Sequence, residues 1–251
     1  MAPQRIPKMK LIQLNAYNGR LEKPLIWFFK KEQADIICLQ EAISIDGEAG
    51  LFLPLEGMQE ASGLPYAVIG PAFSIRYMAR IAKFSNCIFS RLPIQKSEVI
   101  FTNLSHKEDY DFVKDRTANM RNFVHAVINI DSQAYNILTH HGYHIPDHKK
   151  GDTETLRQMK FLGNYIDELE GPIVLTGDFN LAPNSKSLRH INQRLINLPV
   201  KYGLKTTRTS ITHRKEVCDY IFINNKVKVE NFYASEELVS DHKALILEFE
   251  I

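Results

Sequence analysis

Gly171-Pro172-Ile173-Val174-Leu175-Thr176-Gly177-Asp178-Phe179-Asn180 is the stretch from which the rest of the chain can be read. Ile173 to Thr176 is an apolar, β-branched run of the kind that forms a buried strand, and Gly177 ends it. An acid and an amide follow, two residues apart. Side chains alternate along an extended segment, so Asp178 and Asn180 can face the same way beyond the carboxyl end of the strand. One can take a proton, and the other can hold a water or an oxygen.

Working outward, a helix from about Thr153 to Leu169 leads into this strand, capped by Asp152 or Thr153 and striped by Leu156, Met159, Leu162, Ile166 and Leu169. A second helix, Ser185 to Leu195 with Asn184 as its cap, leads away. Upstream, Phe123 to Ile130 and Ala134 to Thr139 alternate on either side of Asp131-Ser132-Gln133 and read as a hairpin. At the N-terminal end, Lys10 to Asn15 reads as a strand and Leu21 to Glu32 as a helix with Trp27 packed beside its stripe. Asp35 to Glu41 is a second buried strand that ends on an acid. Further strands are read at 66–70, 86–90, 94–102, 217–223, 227–233 and 244–251, while 42–64 carries no assignment. Strand–helix alternation mixed with hairpins makes the fold class α/β.

The chain has 251 residues, 44% hydrophobic and 24% charged, with no linker, repeat or low-complexity tract. The expected organisation is a short tail at 1–9 and a single domain at 10–251. A formal net charge of +2 announces no field for nucleic acid, although a local basic patch would still admit one. Met1 to Lys10 is basic but leads into no long apolar core, so neither a signal peptide nor a membrane anchor is read there. Cys38, Cys87 and Cys218 lie far apart in apolar runs and read as buried small hydrophobes, which suits a reducing, cytoplasmic setting. A monomer is expected.

Four acids (Glu41, Asp178, Asp219, Asp241), two amides (Asn15, Asn180) and two histidines (His141, His242) fall at or near the ends of buried strands. Any one of them is explained as a turn former. Their recurrence points to one shared polar site, because ligands of open α/β sheets gather outside the strand ends. Such carboxylates suit Mg2+, with Mn2+ as a substitute, better than Zn2+. The loop 140–152 holds four of the nine histidines, but no His-Glu-x-x-His and no Cys/His pairing is present. His144 and His148 read as solvated loop residues.

Taken in order, Leu14-Asn15, Leu39-Gln40-Glu41, Asn86 to Ile94, Thr139-His140-His141, Gly177-Asp178-Phe179-Asn180, Cys218 to Phe222 and Ser240-Asp241-His242 resemble the endonuclease/exonuclease/phosphatase superfamily. The resemblance implies a four-layer αββα sandwich, with two mixed β-sheets packed face to face and helices outside. It implies Glu41 as the main metal ligand, Asn15 beside it, and Asp241 completing the metal or phosphate environment. Asp178 would activate the attacking water and Asn180 would hold that water or a phosphate oxygen. His242 would meet the scissile phosphate, with Asp219 fixing its ring. Alternation puts Thr139 and His141 on one face, so His141 is taken as the second phosphate histidine, with His140 as the alternative. Asn86 supports the site from the adjoining strand, and Arg121 or Lys83 could reach phosphate.

Departures narrow the class. No Trp precedes Val217-Cys218-Asp219-Tyr220 and no Arg stands within it, unlike apurinic endonucleases, and Tyr220 replaces the Arg of inositol polyphosphate phosphatases. No membrane anchor or disulfide marks a sphingomyelinase or a secreted deoxyribonuclease. The expectation is a metal-dependent phosphoester hydrolase of an uncharacterised bacterial type, acting on a phosphodiester. A nuclease is the second reading. A catalytically inert binding module is the third, and it requires a lost site residue where none is lost.

Overall fold

Ile36 to Leu39 is apolar on both faces, and a strand of that kind has to be covered on both sides. The computed structural model describes residues 8–45, 52–77, 80–115 and 119–250 and shows how it is covered. Residues 1–7 of the expected tail and Ile251 of the expected last strand lie outside the described residues.

In chain order the strands are β1 (Lys8–Asn15), β2 (Ile36–Ile45), β3 (Tyr66–Tyr77), β4 (Arg80–Ser90), β5 (Ile94–Asn103), β6 (Arg121–Ile130), β7 (Gln133–His141), β8 (Ile173–Asp178), β9 (Ile196–Asn197), β10 (Asp219–Ile223), β11 (Val229–Ala234) and β12 (Leu245–Glu250). The helices are α1 (Glu22–Glu32), α2 (Leu55–Ser62), α3 (Thr153–Asp167), α4 (Arg189–Asn192) and α5 (Leu198–Lys201). Two six-stranded sheets result, ordered β11-β12-β1-β2-β4-β3 and β5-β6-β7-β8-β10-β9. Each is mixed: β1 and β2 are parallel in the first, and β7 and β8 in the second.

The alternation of β1 shows the layering. Leu11 joins Ile36, Cys38 and Ile88 against Val124, Ile137, Val174 and Ile221 of the other sheet. Ile12 and Leu14 turn the other way, onto Leu25, Phe28 and Phe29 of α1 and Met58 of α2. On the far side Leu138, Leu175 and Phe222 pack beneath Met159, Leu162 and Ile166 of α3. Three apolar interfaces therefore separate four layers, the expected αββα sandwich. Each fully buried aliphatic or aromatic side chain contributes roughly 1.5–3 kcal/mol against leaving it in water.

Helix α3 begins where expected: Asp152 accepts from the Thr155 N–H at 2.8 Å, and the Thr155 hydroxyl answers the Asp152 N–H at 2.7 Å. The expected Ser185–Leu195 helix is reduced to the single turn of α4. Its first residues are drawn away by their own hydroxyls, since Ser185 Oγ donates to the Lys150 carbonyl and accepts from the Ser187 N–H. Trp27 does not pack beside the α1 stripe; it is half exposed, with the Lys31 ammonium 4.7 Å from its ring centroid. All three cysteines are buried and unbridged, as expected. Among the described residues no helix is long and apolar enough to cross a membrane.

Toward one end of the sandwich the layer between the sheets turns polar. Gln13 donates to Asp219 at 3.2 Å, Gln40 to Thr139 at 2.7 Å and Asn86 to Asn122 at 2.7 Å. These buried cross-sheet bonds fix the sheets relative to each other directly beneath the strand ends.

Candidate active site

Gly177, the residue that stops the opening strand, has φ of 146° and lies opposite His140 in the parallel β7–β8 pair. A Cβ there would sit 1.9 Å from the His140 carbonyl oxygen, so only glycine lets the two strands close. Closing them brings His141 into register with Asp178 on one side, while Asp219 of β10 is in register with Asp178 on the other. Three of the expected residues thus form one row across the second sheet. The strand ends at Asp178, and Asn180 adopts a left-handed φ of 54° with its N–H donating to Asp178 Oδ1 at 2.9 Å. An Asx-type turn, rather than strand alternation, brings Asn180 beside Asp178.

Glu41 reaches the site by a backbone irregularity. The β2–β4 register slips between Leu39 and Ala42, and Glu41 itself has a left-handed φ of 54°. Plain alternation would send only one of Gln40 and Glu41 toward the other sheet, whereas the bulge sends both. Gln40 bonds Thr139, and the Glu41 carboxylate lies 3.9 Å from His141 Nε2. Conformations of this kind cost energy, and they concentrate where a side chain has to be aimed.

The last loop supplies the imidazole. Ser240 Oγ donates to the Asn15 carbonyl at 2.6 Å and accepts from the His242 N–H, tying the start of β12 to the end of β1. Asp219 holds His242 Nδ1 at 2.8 and 2.9 Å, and Thr207 Oγ1 donates to Asp219 at 2.6 Å. The other ring nitrogen faces Asp178 Oδ2 at 3.7 Å and Asp241 Oδ1 at 3.8 Å. Burial opposes a charged ring, but Asp219 and Asp178 outweigh it and raise the pKa of His242 to about 9. Burial likewise opposes a charged Asp178, yet the nearby cations His242, Arg208 and Lys149 hold its carboxyl well below the usual carboxylate range. At neutral pH the pair is an imidazolium facing a carboxylate.

His141 and His140 part as alternation requires. His140 is fully buried against Phe179, its pKa depressed by burial to about 4, and its Nδ1 meets the Asn122 carbonyl. His141 stands at the mouth beside Glu41, and burial with the nearby Arg121 charge keeps it neutral. Asn86 bonds the Asn122 carbonyl and side chain, a supporting position. The Arg121 guanidinium is pinned to the carbonyls of Gly142 and Met120.

Two sets of donors could hold a cation. Asp178, Asp219 and His242 each offer an atom within 4.8 Å of the others. That trio is spent internally, because Asp219 is occupied by His242, Thr207 and Gln13. Glu41 is different. Burial raises its pKa, and among the described residues its ion-pair partner is the neutral His141. A recessed carboxylate whose one ion-pair contact among the described residues is a neutral ring, with the Asn15 amide beside it, is a hard oxygen donor set of the kind that fits Mg2+ or Mn2+. Asn15 also donates to Asp178 Oδ2 at 3.3 Å, which links the two carboxylates.

Four residues were not singled out from the sequence. Arg208 is buried, with Nη1 against His242 Nε2 and 3.8 Å from Asp241 Oδ2, and its Nε has no partner. Thr207 fixes Asp219, as described above. Lys149 is buried and donates to Asn180 Oδ1 at 2.6 Å. His144, read as a solvated loop residue, instead lies half-buried with Nδ1 3.0 Å from the same oxygen. His148 is exposed, as expected. The Thr207–Arg208 stretch has no strand pattern, and it reaches the site through backbone bonds to Asp241 and Lys243 that only the fold creates.

The profile of the Endonuclease/Exonuclease/phosphatase family matches residues 14–242. The chain belongs to that family. Among solved structures it is similar to a family protein from Leptotrichia buccalis C-1013-b, with TM-score 0.70 and 19% identity over 97% of this chain and 100% of that one. It is also similar to a mannosyl-6-phosphatase of Bacteroides thetaiotaomicron, with TM-score 0.67 and 15% identity over 97% and 100% of the two chains. TDP2 of D. rerio, complexed with a single-strand DNA product, aligns with TM-score 0.69 and 14% identity over 97% and 99%. At these identities the likeness is one of fold. No curated protein matches in sequence comparison.

Proposed function

We propose that the protein hydrolyses a phosphodiester with the help of a divalent metal ion. The observation that carries this is the geometry of His242, its Nδ1 held by Asp219 at 2.8 Å and its Nε2 3.7 Å from Asp178, whose carboxylate is linked through Asn15 to that of Glu41. Glu41 and Asn15 would hold the ion, with Asp241 completing the environment. When bound, the ion supplies charge neutralisation at the phosphate oxygens.

The chain's own residues account for the rest. Asp178 is ionised and adjacent to the Asn180 N–H, so it can orient a water and accept its proton as the water attacks phosphorus. His242 Nε2 faces this point and, when protonated, would meet the negative charge of the phosphate. Arg208 adds a second cation beside it and His141 a neutral ring at the opposite wall. Phosphoryl transfer depends mostly on positioning and charge neutralisation, and this residue set provides both. The reading includes a monomeric, cytoplasmic enzyme with Mg2+ as its ion and Mn2+ as substitute; the unbridged cysteines support the reducing compartment.

The test is hydrolysis of bis-p-nitrophenyl phosphate with Mg2+. Glu41→Ala should lose metal binding by calorimetry and activity with it, while Asp178→Asn should keep the metal and lose turnover. Activity that survives both changes would sink the site assignment. Nicking of plasmid DNA at enzyme concentrations that leave small diesters untouched would favour the nuclease reading.

A further inference from the structure

A cleft of about 580 Å³ opens onto the site, with Glu41, His141 and Arg121 at one end. Beside polar lining from Arg20 and Asn18, much of its wall is apolar, with Phe73, Phe84 and Phe112 joined by Ile43, Ile75 and Met120. Phe73 and Phe84 are stacked at 4.7 Å, and Phe112 stands edge-on to both and to Tyr110. Phe112 is nonetheless 58% exposed, so its edge-on contacts leave much of the ring uncovered. The segment that carries it is fixed in advance. It pairs with β3 through Ser74 and Lys107, and Asp115 bonds both Lys107 and the Asp111 N–H.

A flat ring can lie against the uncovered face of Phe112 and fill such a wall without the torsional freedom that a flexible alkyl chain would give up on binding. We propose that this cleft receives an aromatic substituent of the phosphoester, and that it sets a preference for aryl or nucleobase-bearing esters over alkyl ones. The proposal deepens the phosphodiesterase reading and rests on it for the identity of the ester.

Binding separates the two, because it needs no turnover. Methyl phosphodiesters whose second substituent is methyl, hexyl, phenyl or thymidine are titrated by ligand-observed NMR into the wild-type protein with Mg2+. Phenyl methyl phosphate should bind about tenfold more tightly than dimethyl phosphate, and more tightly than the hexyl ester. A thymidine ester tighter than the phenyl ester would support the cleft and name the nucleobase as its source. Phe112→Ala should cut the phenyl-over-methyl preference severalfold. Equal affinities, or a hexyl ester at least as tight as the phenyl one, would overturn the proposal even in an active enzyme. The aryl preference without any hydrolysis would refute the hydrolase reading and leave the cleft standing.

Discussion

Replacing Asp219 by Asn removes one negative charge from His242 Nδ1 and keeps the side chain's shape. His242 sits at about 9 against an ordinary 6.5, and Asp219 is the largest of the influences that raise it. At 1.36 kcal/mol per pH unit the difference amounts to about 3 kcal/mol in favour of the charged ring. Because the folded state holds this proton more tightly than the unfolded chain, the stabilisation is fully present below pH 6.5 and is lost as pH rises through 9. In Asp219→Asn, burial would act against Asp178 alone, and the ring should titrate at roughly 7 or below. The His242 ring proton, followed by NMR in the metal-free protein and assigned with His242→Gln, reads this directly. Urea denaturation at pH 6 and pH 9.5 should show a smaller alkaline loss in the variant than in the wild type. Turnover should fall by about 10²–10⁴, because the ring loses both its charge and its orientation. A titration midpoint unchanged in Asp219→Asn would refute the claim that the His–Asp pair sets the charge state of the site.

Gly177→Ala should lower stability by roughly 3 kcal/mol or more because its Cβ meets the His140 carbonyl, whereas Gly203→Ala, at positive φ but with open space around it, should cost only about 1–2 kcal/mol; calorimetric melting compares them. His140 runs opposite to His242. With its folded pKa depressed to about 4, its contribution is full above pH 6.5 and is lost as pH falls through 6.5 toward 4, by up to about 3 kcal/mol, and His140→Gln should flatten that part of the denaturation profile. Arg208→Ala should lower kcat/KM for a phosphodiester by about 10–100-fold while leaving metal affinity in place, and Arg208→Lys should restore little, since a point charge does not replace a planar fork of donors.

Much of the site was legible because local patterns carry it. Apolar runs that halt at an acid or amide pointed to Asn15, Glu41 and Asp178, a run that starts from an acid pointed to Asp219, and the capping chemistry of Asp152 located the start of α3. Alternation was enough to separate His141 from His140. It was not enough at Glu41 or Asn180, where left-handed residues aim the chain, nor at Ser185, where hydroxyl bonds to the backbone defeat a helical pattern. Arg208, Thr207 and Lys149 carried no signal, because an isolated cation or hydroxyl in a loop looks the same whether it is solvated or buried.

The family resemblance implied the four-layer sandwich, whereas the sequence by itself determined the buried strands and striped helices of an α/β chain and the set of acids, amides and histidines at or near the strand ends. Those follow from periodicity and burial, which act over a few neighbouring residues. Only the tertiary structure decided which of those groups meet. The row His141, Asp178, Asp219 depends on two strand registers, one of them permitted by Gly177, and the charge on His242 depends on carboxylates 23 and 64 residues away in the chain. The aromatic cleft likewise gathers its walls from β2, β3, β4 and the segment before β6. A pKa or a cleft is a sum over neighbours in space, and folding chooses those neighbours.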